Sequence, residues 1–278
     1  MARKRTYNNR RTDWKKNLVW TIVVLTILGV LFLAVQRKMD ATVSKVTINI
    51  EGIKGGKNLV TKKGVKQMFR NYLGYDLEMS TIRDLNLMDL ETMLEADERI
   101  KEAAVYIDSK DRLFIVIEQR VPILRVFSQN KSTYYLDAEG NEIPAYRGAT
   151  IRVPVASGSI EEYDPRLLKG KKESRLKDVF TLAKFIHEDE FLSALIEQID
   201  MQENGEVMMV PKIGRQKLDF GHVENIEERF EKLKILYKGG MEQVGWRKYD
   251  VLTLKYDSKS GDEDGEGYHL IYGRKSEN

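Results

Sequence analysis

The feature that most restricts the fold of this chain is an unbroken apolar segment near its N-terminus. Residues 18–35 read LVWTIVVLTILGVLFLAV and carry no charge, whereas Lys15-Lys16 and Arg37-Lys38 flank the segment. As a helix, such a segment is ~27 Å long, close to the ~30 Å hydrocarbon core of a bilayer. A buried helix of a soluble protein would normally have a polar face, and this one has only two threonines. The sequence therefore predicts a transmembrane helix over residues 18–36.

Two other interpretations of this segment are a cleaved signal peptide and a twin-arginine export signal. A signal peptide has an apolar region of ~7–15 residues and a small-x-small cleavage site. The segment here is longer and ends in Ala34-Val35-Gln36-Arg37, which lacks that pattern. Arg10-Arg11 could belong to an export signal, but Asp13 stands where that signal expects an apolar residue. An uncleaved anchor is therefore favoured.

The distribution of charge predicts the orientation of this anchor. The whole chain has a net charge of +3, with 46 Lys and Arg against 43 Asp and Glu. Residues 1–17 contain seven of the basic residues and one acid, so the rest of the chain is slightly acidic. By the positive-inside rule, residues 1–17 are a basic cytoplasmic arm and the bulk of the chain is extracytoplasmic. The sequence pI of about 8.7 is an average over these two parts, and no nucleic-acid partner is expected.

No arrangement of residues in the sequence points to catalysis or to a bound cofactor. Cysteine is absent, which excludes thiol chemistry, disulfides and Cys-ligated metals. His187, His222 and His269 are far apart and lack metal-ligand spacing. The segment Gly55-Gly56-Lys57 lacks the other residues of a phosphate-binding loop, and the acidic loop over 257–267 lacks the alternating ligands of a calcium loop. We therefore expect no metal, no cofactor and no enzymatic activity.

Hydrophobic periodicity predicts a compact unit of β-α-α-β-β order over residues 44–120. Alternating apolar residues indicate the strands, and Thr61, Gly74 and Asn86 are helix-boundary residues. Asp89, three residues after Asn86, predicts an approximate capping box. The predicted elements are a strand at 46–50, helices at 61–72 and from 86 onward, and strands at 103–107 and 113–118.

The remainder of the chain is predicted to be a mixed β-sheet domain with two or more helices. Asn204-Gly205 is a strong hairpin signal between two of its strands. The expected strands are 123–127, 133–136, 151–155, 196–201, 207–210 and 217–221, with helices at 174–189 and 224–238, a loop at 158–172, and a closing hairpin of 251–256 and 268–272. The predicted fold class is thus α+β behind a single transmembrane helix.

Four segments of the chain resemble sequence patterns of one bacterial protein family. They are IKEAAV at residues 100–105, LFIVIEQRVP at 113–122, YLDAEG at 135–140 and LTLKY at 252–256. Their order and spacing, over roughly residues 15–273, resemble those of the FtsQ/DivIB cell-division proteins. The chain departs from the family pattern by one extra residue between Glu118 and Arg120, by Thr253 in place of Asp or Asn, and by a longer loop after Ser258.

The resemblance implies a POTRA domain at 44–120, an FtsQ-type β domain at 121–273 and a short tail at 274–278. It implies a non-enzymatic scaffold at the division septum, anchored in the cytoplasmic (inner) membrane with its bulk in the periplasm or its equivalent. The implied partners are single-pass division proteins of the FtsB/DivIC and FtsL types, bound outside the membrane by β-strand addition, which would link septal wall synthesis to the division ring. Other divisome members could bind the POTRA domain.

The implied partner-binding site is the terminal hairpin, because the last strand of a sheet exposes unpaired backbone groups. Its residues are Leu254, Tyr256, Gly267, Tyr268, His269, Leu270, Ile271 and Tyr272. The alternative for this edge is that the tail covers it. Alternatives for the whole chain are a POTRA-containing transport or barrel-assembly protein and a membrane-anchored wall enzyme. Two amphipathic helices in the last ~105 residues argue against a membrane barrel.

Overall fold

The computed structural model describes residues 10–53, 58–145, 151–240, 245, 249–255 and 272–274. Within these residues the chain divides into two compact units. The first unit contains residues 10–50, 61–96 and 102–117, and the second contains the described residues of 51–60, 97–101 and those from 118 onward. The domain limits of 44–120 and 121–273 stay a prediction.

The N-terminal helix α1 extends over Arg10–Met39 and includes the whole predicted apolar segment. In the described part of the chain, this is the one helix that is long and apolar enough to cross a membrane, over Trp14–Gln36. The hydroxyls of Thr21 and Thr26 each donate a 2.8 Å hydrogen bond to the carbonyl four residues earlier. Their polar groups are thus satisfied within the helix, as hydrocarbon surroundings require.

The first unit has the predicted β-α-α-β-β order. After α1, the elements are β1 Lys45–Ile50, α2 Lys62–Leu73, α3 Leu87–Glu95, β2 Ile100–Ile107 and β3 Arg112–Gln119, of which the first two residues of β2 and the last two of β3 fall in the second unit. The strands form a three-stranded sheet in the order β1-β3-β2, with β1 parallel to β3. Every second residue of β3 is buried, as are Val65 and Phe69 of α2 and Leu90 and Leu94 of α3. The alternation in the strand and the helical spacing therefore supply one apolar core.

The boundaries of α2 agree with the sequence prediction, whereas the predicted cap of α3 is wrong. Thr61 accepts a 3.1 Å hydrogen bond from the N–H of Gly64, and Gly74 ends α2 with a left-handed φ of 83°. Asn86 is the residue before α3, but its side chain accepts no capping hydrogen bond. The expected capping box is therefore absent, since it requires the Asn86 side chain to accept a hydrogen bond from the backbone of the first turn.

The second unit contains a mixed nine-stranded sheet in the order β12-β11-β10-β9-β8-β7-β4-β5-β6. Helices α5, α6 and α7 contribute their buried residues to one continuous apolar cluster with the strands. The strands are β4 Pro122–Phe127, β5 Thr133–Asp137, β6 Glu142–Pro144, β7 Val155–Gly158, β8 Ile196–Met201, β9 Val207–Pro211, β10 Lys217–Gly221, β11 Val251–Thr253 and β12 Tyr272–Arg274. The helices are α4 Pro165–Lys169, α5 Arg175–Glu188, α6 Glu190–Leu195 and α7 Ile226–Ile235. The predicted α+β class is therefore confirmed.

The strand residues that alternate with this cluster are half-buried and largely polar. Ser157 donates a 2.8 Å hydrogen bond to Asp200, and Gln198 donates one of 2.9 Å to Ser157. Gln202 continues the chain of contacts with a 2.7 Å hydrogen bond to Asp200. Pairing between side chains satisfies polar groups that the sheet partly removes from water.

Several predicted boundaries in the second unit are wrong for local reasons. The strand expected at 151–155 begins only at Val155, because Pro154 has no N–H to donate to a ladder, although its carbonyl accepts from Arg125 at 2.9 Å. The loop expected at 158–172 contains α4, whose start is marked by Asp164 as N-cap and Pro165 as first residue. Helix α7 is shorter than predicted and continues as a π-helical turn over Leu236–Gly240. The short elements β6 and α6 have no counterpart in the prediction.

Candidate partner-binding edge

The described part of the predicted hairpin consists of β11, the two residues after it, and β12. Leu254 is fully buried in the apolar cluster, and its N–H donates to the Asp219 carbonyl at 2.8 Å. Tyr272 begins β12 and pairs with Thr253 in an antiparallel register. Tyr256, Gly267, Tyr268, His269, Leu270 and Ile271 lie outside the described residues. Strand β12 ends at Arg274, two residues beyond the predicted end of the hairpin.

The backbone directions of β11 follow from its bonds to β10. The N–H of Lys217 donates to the Asp250 carbonyl at 2.9 Å, and the N–H of Leu254 donates to the Asp219 carbonyl. In a strand the backbone groups of successive residues point to opposite sides, so the even-numbered residues of β11 bond to β10. Val251 and Thr253 consequently point their N–H and C=O groups toward β12.

Among the described residues, this alternation places Gly273 on the outer edge of the sheet. Val251 pairs with Arg274 and Thr253 with Tyr272, so these two antiparallel pairs exchange hydrogen bonds. Gly273 pairs with Leu252, whose backbone groups already bond to β10. The N–H and C=O of Gly273 therefore point away from β11, along the outer side of the last strand in the sheet.

Lys255 is the last described residue of the predicted hairpin before β12, and it forms ion pairs with two carboxylates. Its Nζ lies 2.7 Å from Oε1 of Glu206 and 3.2 Å from Oδ2 of Asp219. All three side chains are partly buried. The contact joins the β8–β9 turn, β10 and the end of β11 at the point where the chain leaves the sheet.

The electrostatics of this cluster favour its charged form. The hydrogen bond from Lys255 holds the pKa of the Glu206 carboxyl below its usual value. Partial burial opposes the charge of Lys255, but its hydrogen bonds to Glu206 and Asp219 outweigh burial and raise the pKa of its ammonium group. The contact thus favours the charged forms of both Lys255 and Glu206.

Gly221 allows Lys255 to reach this position. Its φ of +76° is left-handed, and a Cβ there would come within 2.8 Å of Cγ of Lys255. Lys255 belongs to the quoted LTLKY segment, but nothing in the sequence links it to Glu206, 49 positions earlier. Reasoning from the sequence therefore missed Glu206, Asp219, Gly221 and Gly273 as parts of this edge.

The opposite end of the sheet is a poor place for another strand. Strand β6 has only three residues, pairs with β5 and ends in Pro144. A short strand with a proline offers few donors for a further strand. In β6 the N–H of Glu142 points away from β5 and Pro144 has none, so this end offers one donor among the described residues.

Two of the quoted sequence segments meet in a buried ion pair. Nη1 of Arg120 lies 2.9 Å from Oδ2 of Asp137, whose side chain is almost completely buried. Oδ1 of Asp137 also accepts hydrogen bonds from the backbone N–H groups of Glu139 and Asn141, at 3.0 and 2.7 Å. Gly140 in this turn has a φ of +79° and accepts a hydrogen bond from the Tyr163 hydroxyl. These contacts stabilise the β5–β6 turn, so the residues that make them have a structural role.

In the part of the chain that the structure describes, no group of three or more His, Asp or Glu side chains is arranged to hold a metal ion. His187 lies near the end of α5, and His222 follows β10. His269 lies outside the described residues. The expectations of no metal, no cofactor and no catalysis stay predictions.

The described residues define an α+β protein with one N-terminal helix of membrane-spanning length and a large mixed sheet that ends on an open strand. The family model described as "FtsQ/DivIB, C-terminal related" matches residues 121–259, which is half of the chain. The chain belongs to the FtsQ/DivIB family. This is a family of non-enzymatic division scaffolds, and membership points to a role in cell division with divisome proteins as partners. No curated protein matches the chain.

Proposed function

We propose that this chain is a non-enzymatic, single-pass scaffold of the division septum. Helix α1 anchors it in the cytoplasmic membrane with the basic arm inside, and the parts of both units that follow α1 lie outside. Its terminal hairpin binds an FtsB/DivIC-type partner, together with an FtsL-type protein, by β-strand addition. In this way it links septal wall synthesis to the division ring. The first unit is a POTRA domain that offers a second surface to other divisome members.

The observation that carries this proposal is the outer side of β12, on which no other described strand lies. Strand β12 is the last strand of the nine-stranded sheet, and the N–H and C=O of Gly273 point outward from it. An added strand obtains its affinity from such main-chain hydrogen bonds, while its alternate side chains supply specificity. Lys255, held by Glu206 and Asp219, supports the start of the hairpin on the inner side of the same edge.

Gly273 provides a test that separates partner binding from folding. In Gly273→Pro the outward N–H is lost, whereas the hydrogen bonds between β11 and β12 use Tyr272 and Arg274 and are kept. Proline is tolerated in an edge strand at a position whose N–H faces away from the sheet. We expect the variant to fold and its affinity for the partner's extracytoplasmic segment to fall by about fivefold or more, as the loss of one interface hydrogen bond predicts.

The measurement is a titration of the purified full chain, in detergent, with an FtsB/DivIC-type partner. The matched control is Gly273→Ala, which keeps the N–H and should bind like the parent chain. Circular dichroism of both variants checks that the fold is unchanged. Equal affinity of Gly273→Pro and the parent chain would show that this edge does not accept the partner.

A further inference from the structure

The three-stranded sheet of the first unit also has an edge strand, β2, and this edge is closed by side chains. The N–H of Val105 donates a 2.7 Å hydrogen bond to Oε1 of Glu91, and the N–H of Ala103 donates one of 3.1 Å to Oε1 of Glu95. Both glutamates belong to α3. Residues 103 and 105 point to the same side of β2, away from its neighbour β3.

The geometry of helix and strand matches over this distance. Residues four apart in a helix lie on one face, separated by ~6 Å along the axis. Residues two apart in a strand are separated by ~6.6 Å. Glu91 and Glu95 can therefore cap two successive outward N–H groups of β2 at once. Carboxylate acceptors make stronger hydrogen bonds to N–H groups than neutral acceptors do.

Closing an edge in this way prevents the strand from pairing with another chain. Exposed edge strands are templates for association, and charged side chains along the edge are a common protection. A second copy of this chain is the natural competitor, because antiparallel pairing of two β2 strands about Ala104 would let the N–H groups of Ala103 and Val105 donate to the carbonyls of Val105 and Ala103 in the other copy. Ala103 and Ala104 are small and would not obstruct that approach.

We propose that Glu91 and Glu95 form an edge lock that prevents the chain from pairing with a second copy of itself through β2. The lock occupies the N–H groups of Ala103 and Val105, and it brings like charges together when two such edges approach. This proposal concerns the first unit and does not depend on the role of β12.

The absence of cysteine from the chain allows a direct test by disulfide trapping. Ala104 is exposed at the centre of the edge, so Ala104→Cys introduces a single thiol there. The full chain with this change is expressed in membranes, alone and combined with Glu91→Ala and Glu95→Ala. We expect the disulfide-linked dimer to increase about fivefold or more when both glutamates are removed, because two strand-pairing donors are freed.

Two matched variants separate the lock from surface charge. Asp89→Ala with Glu102→Ala removes two exposed carboxylates from the same α3 and β2 elements, neither of which accepts a hydrogen bond from β2 among the described residues. Glu91→Gln with Glu95→Gln keeps an acceptor oxygen at each position. The Asp89→Ala, Glu102→Ala pair should give as little dimer as Ala104→Cys alone, and the glutamine pair should give less dimer than the double alanine variant.

Amide hydrogen exchange of the same chains supplies the second readout. Exchange at Ala103 and Val105 should accelerate by roughly tenfold in the double alanine variant, while exchange in the central strand β3 is unchanged. Unchanged exchange at these two amides would overturn the proposal. So would faster exchange without additional dimer, or an equal rise in dimer in the Asp89→Ala, Glu102→Ala control.

Discussion

Asp137 concentrates more stabilising contacts than any other carboxylate in the predicted motifs. Its side chain is almost completely buried, forms an ion pair with Arg120 and accepts hydrogen bonds from backbone N–H groups of the β5–β6 turn. A buried carboxylate is stable only when its acceptors are satisfied, so the pair and the turn depend on each other. The resemblance that identifies the chain therefore lies partly in residues that hold the fold.

Replacement of Asp137 by alanine should lower the free energy of unfolding by about 3 kcal/mol. The change leaves Arg120 without its partner and the partly buried N–H groups of Glu139 and Asn141 without an acceptor, which is the costly way to break a buried pair. Urea unfolding of the detergent-solubilised chain, followed by circular dichroism, measures the effect. The control is Asp164→Ala, because Asp164 pairs with the exposed Arg166 and caps only α4; its cost should be clearly smaller. Equal costs for both variants would contradict the argument.

At the scale of elements, Gly158 sets how closely β7 can approach β8. Its φ is +95°, and a Cβ at this position would lie 2.2 Å from the backbone carbonyl oxygen of Met201. Gly158 pairs with Met201 in the parallel β7–β8 ladder, so the obstruction would come from main chain that cannot rotate away. The close pairing of β7 with β8 therefore requires glycine at position 158.

Alanine at Gly158 should therefore destabilise the chain much more than alanine at Gly74. Gly74 has a similar φ of +83°, but a Cβ at this position would have no other atom within 4 Å. Its replacement by alanine therefore costs only the backbone strain, about 1 kcal/mol. Gly158→Ala adds a steric clash, and we expect it to lose about 3 kcal/mol or more. Thermal unfolding of the two variants side by side makes the comparison. A cost for Gly158→Ala no larger than that for Gly74→Ala would refute the close approach of β7 and β8.

For the molecule as a whole, the anchor and the large sheet have separate duties under the proposed function. Helix α1 supplies membrane attachment through its length and composition. The sheet supplies the edge for a partner. A protein with the anchor alone should be spread evenly over the membrane, whereas a scaffold that binds divisome proteins should accumulate at the division site.

A fluorescent fusion to the N-terminus of the full chain should accumulate at mid-cell during constriction. A fusion that carries only residues 1–39 should give an even membrane signal, because it keeps α1 and lacks everything that follows it in both units. Deletion of residues 267–278 should leave the full-length fusion in the membrane and reduce its capture of the FtsB/DivIC-type partner. An even envelope signal from the full chain would count against a septal scaffold.

The parts of this protein that could be predicted from its sequence are those decided over a few neighbouring residues. The apolar run of α1, the Thr61 and Gly74 boundaries of α2, and the Asn204-Gly205 hairpin all depend on local composition, capping and turn geometry. Asn86, which is predicted to cap α3 and does not, and α4, which is not predicted although Asp164 and Pro165 mark its start, show the limit even of local signals.

The features of the candidate site depend instead on which distant segments lie side by side. The position of β12 at the end of the sheet, the outward N–H of Gly273, and the contacts of Lys255 with Glu206 and Asp219 all follow from strand order and register. Register is set by burying one face of each strand against the helices, and a shift of one residue would reverse every backbone direction at the edge. That choice is made by packing across the whole sheet, so it is absent from any short stretch of the sequence.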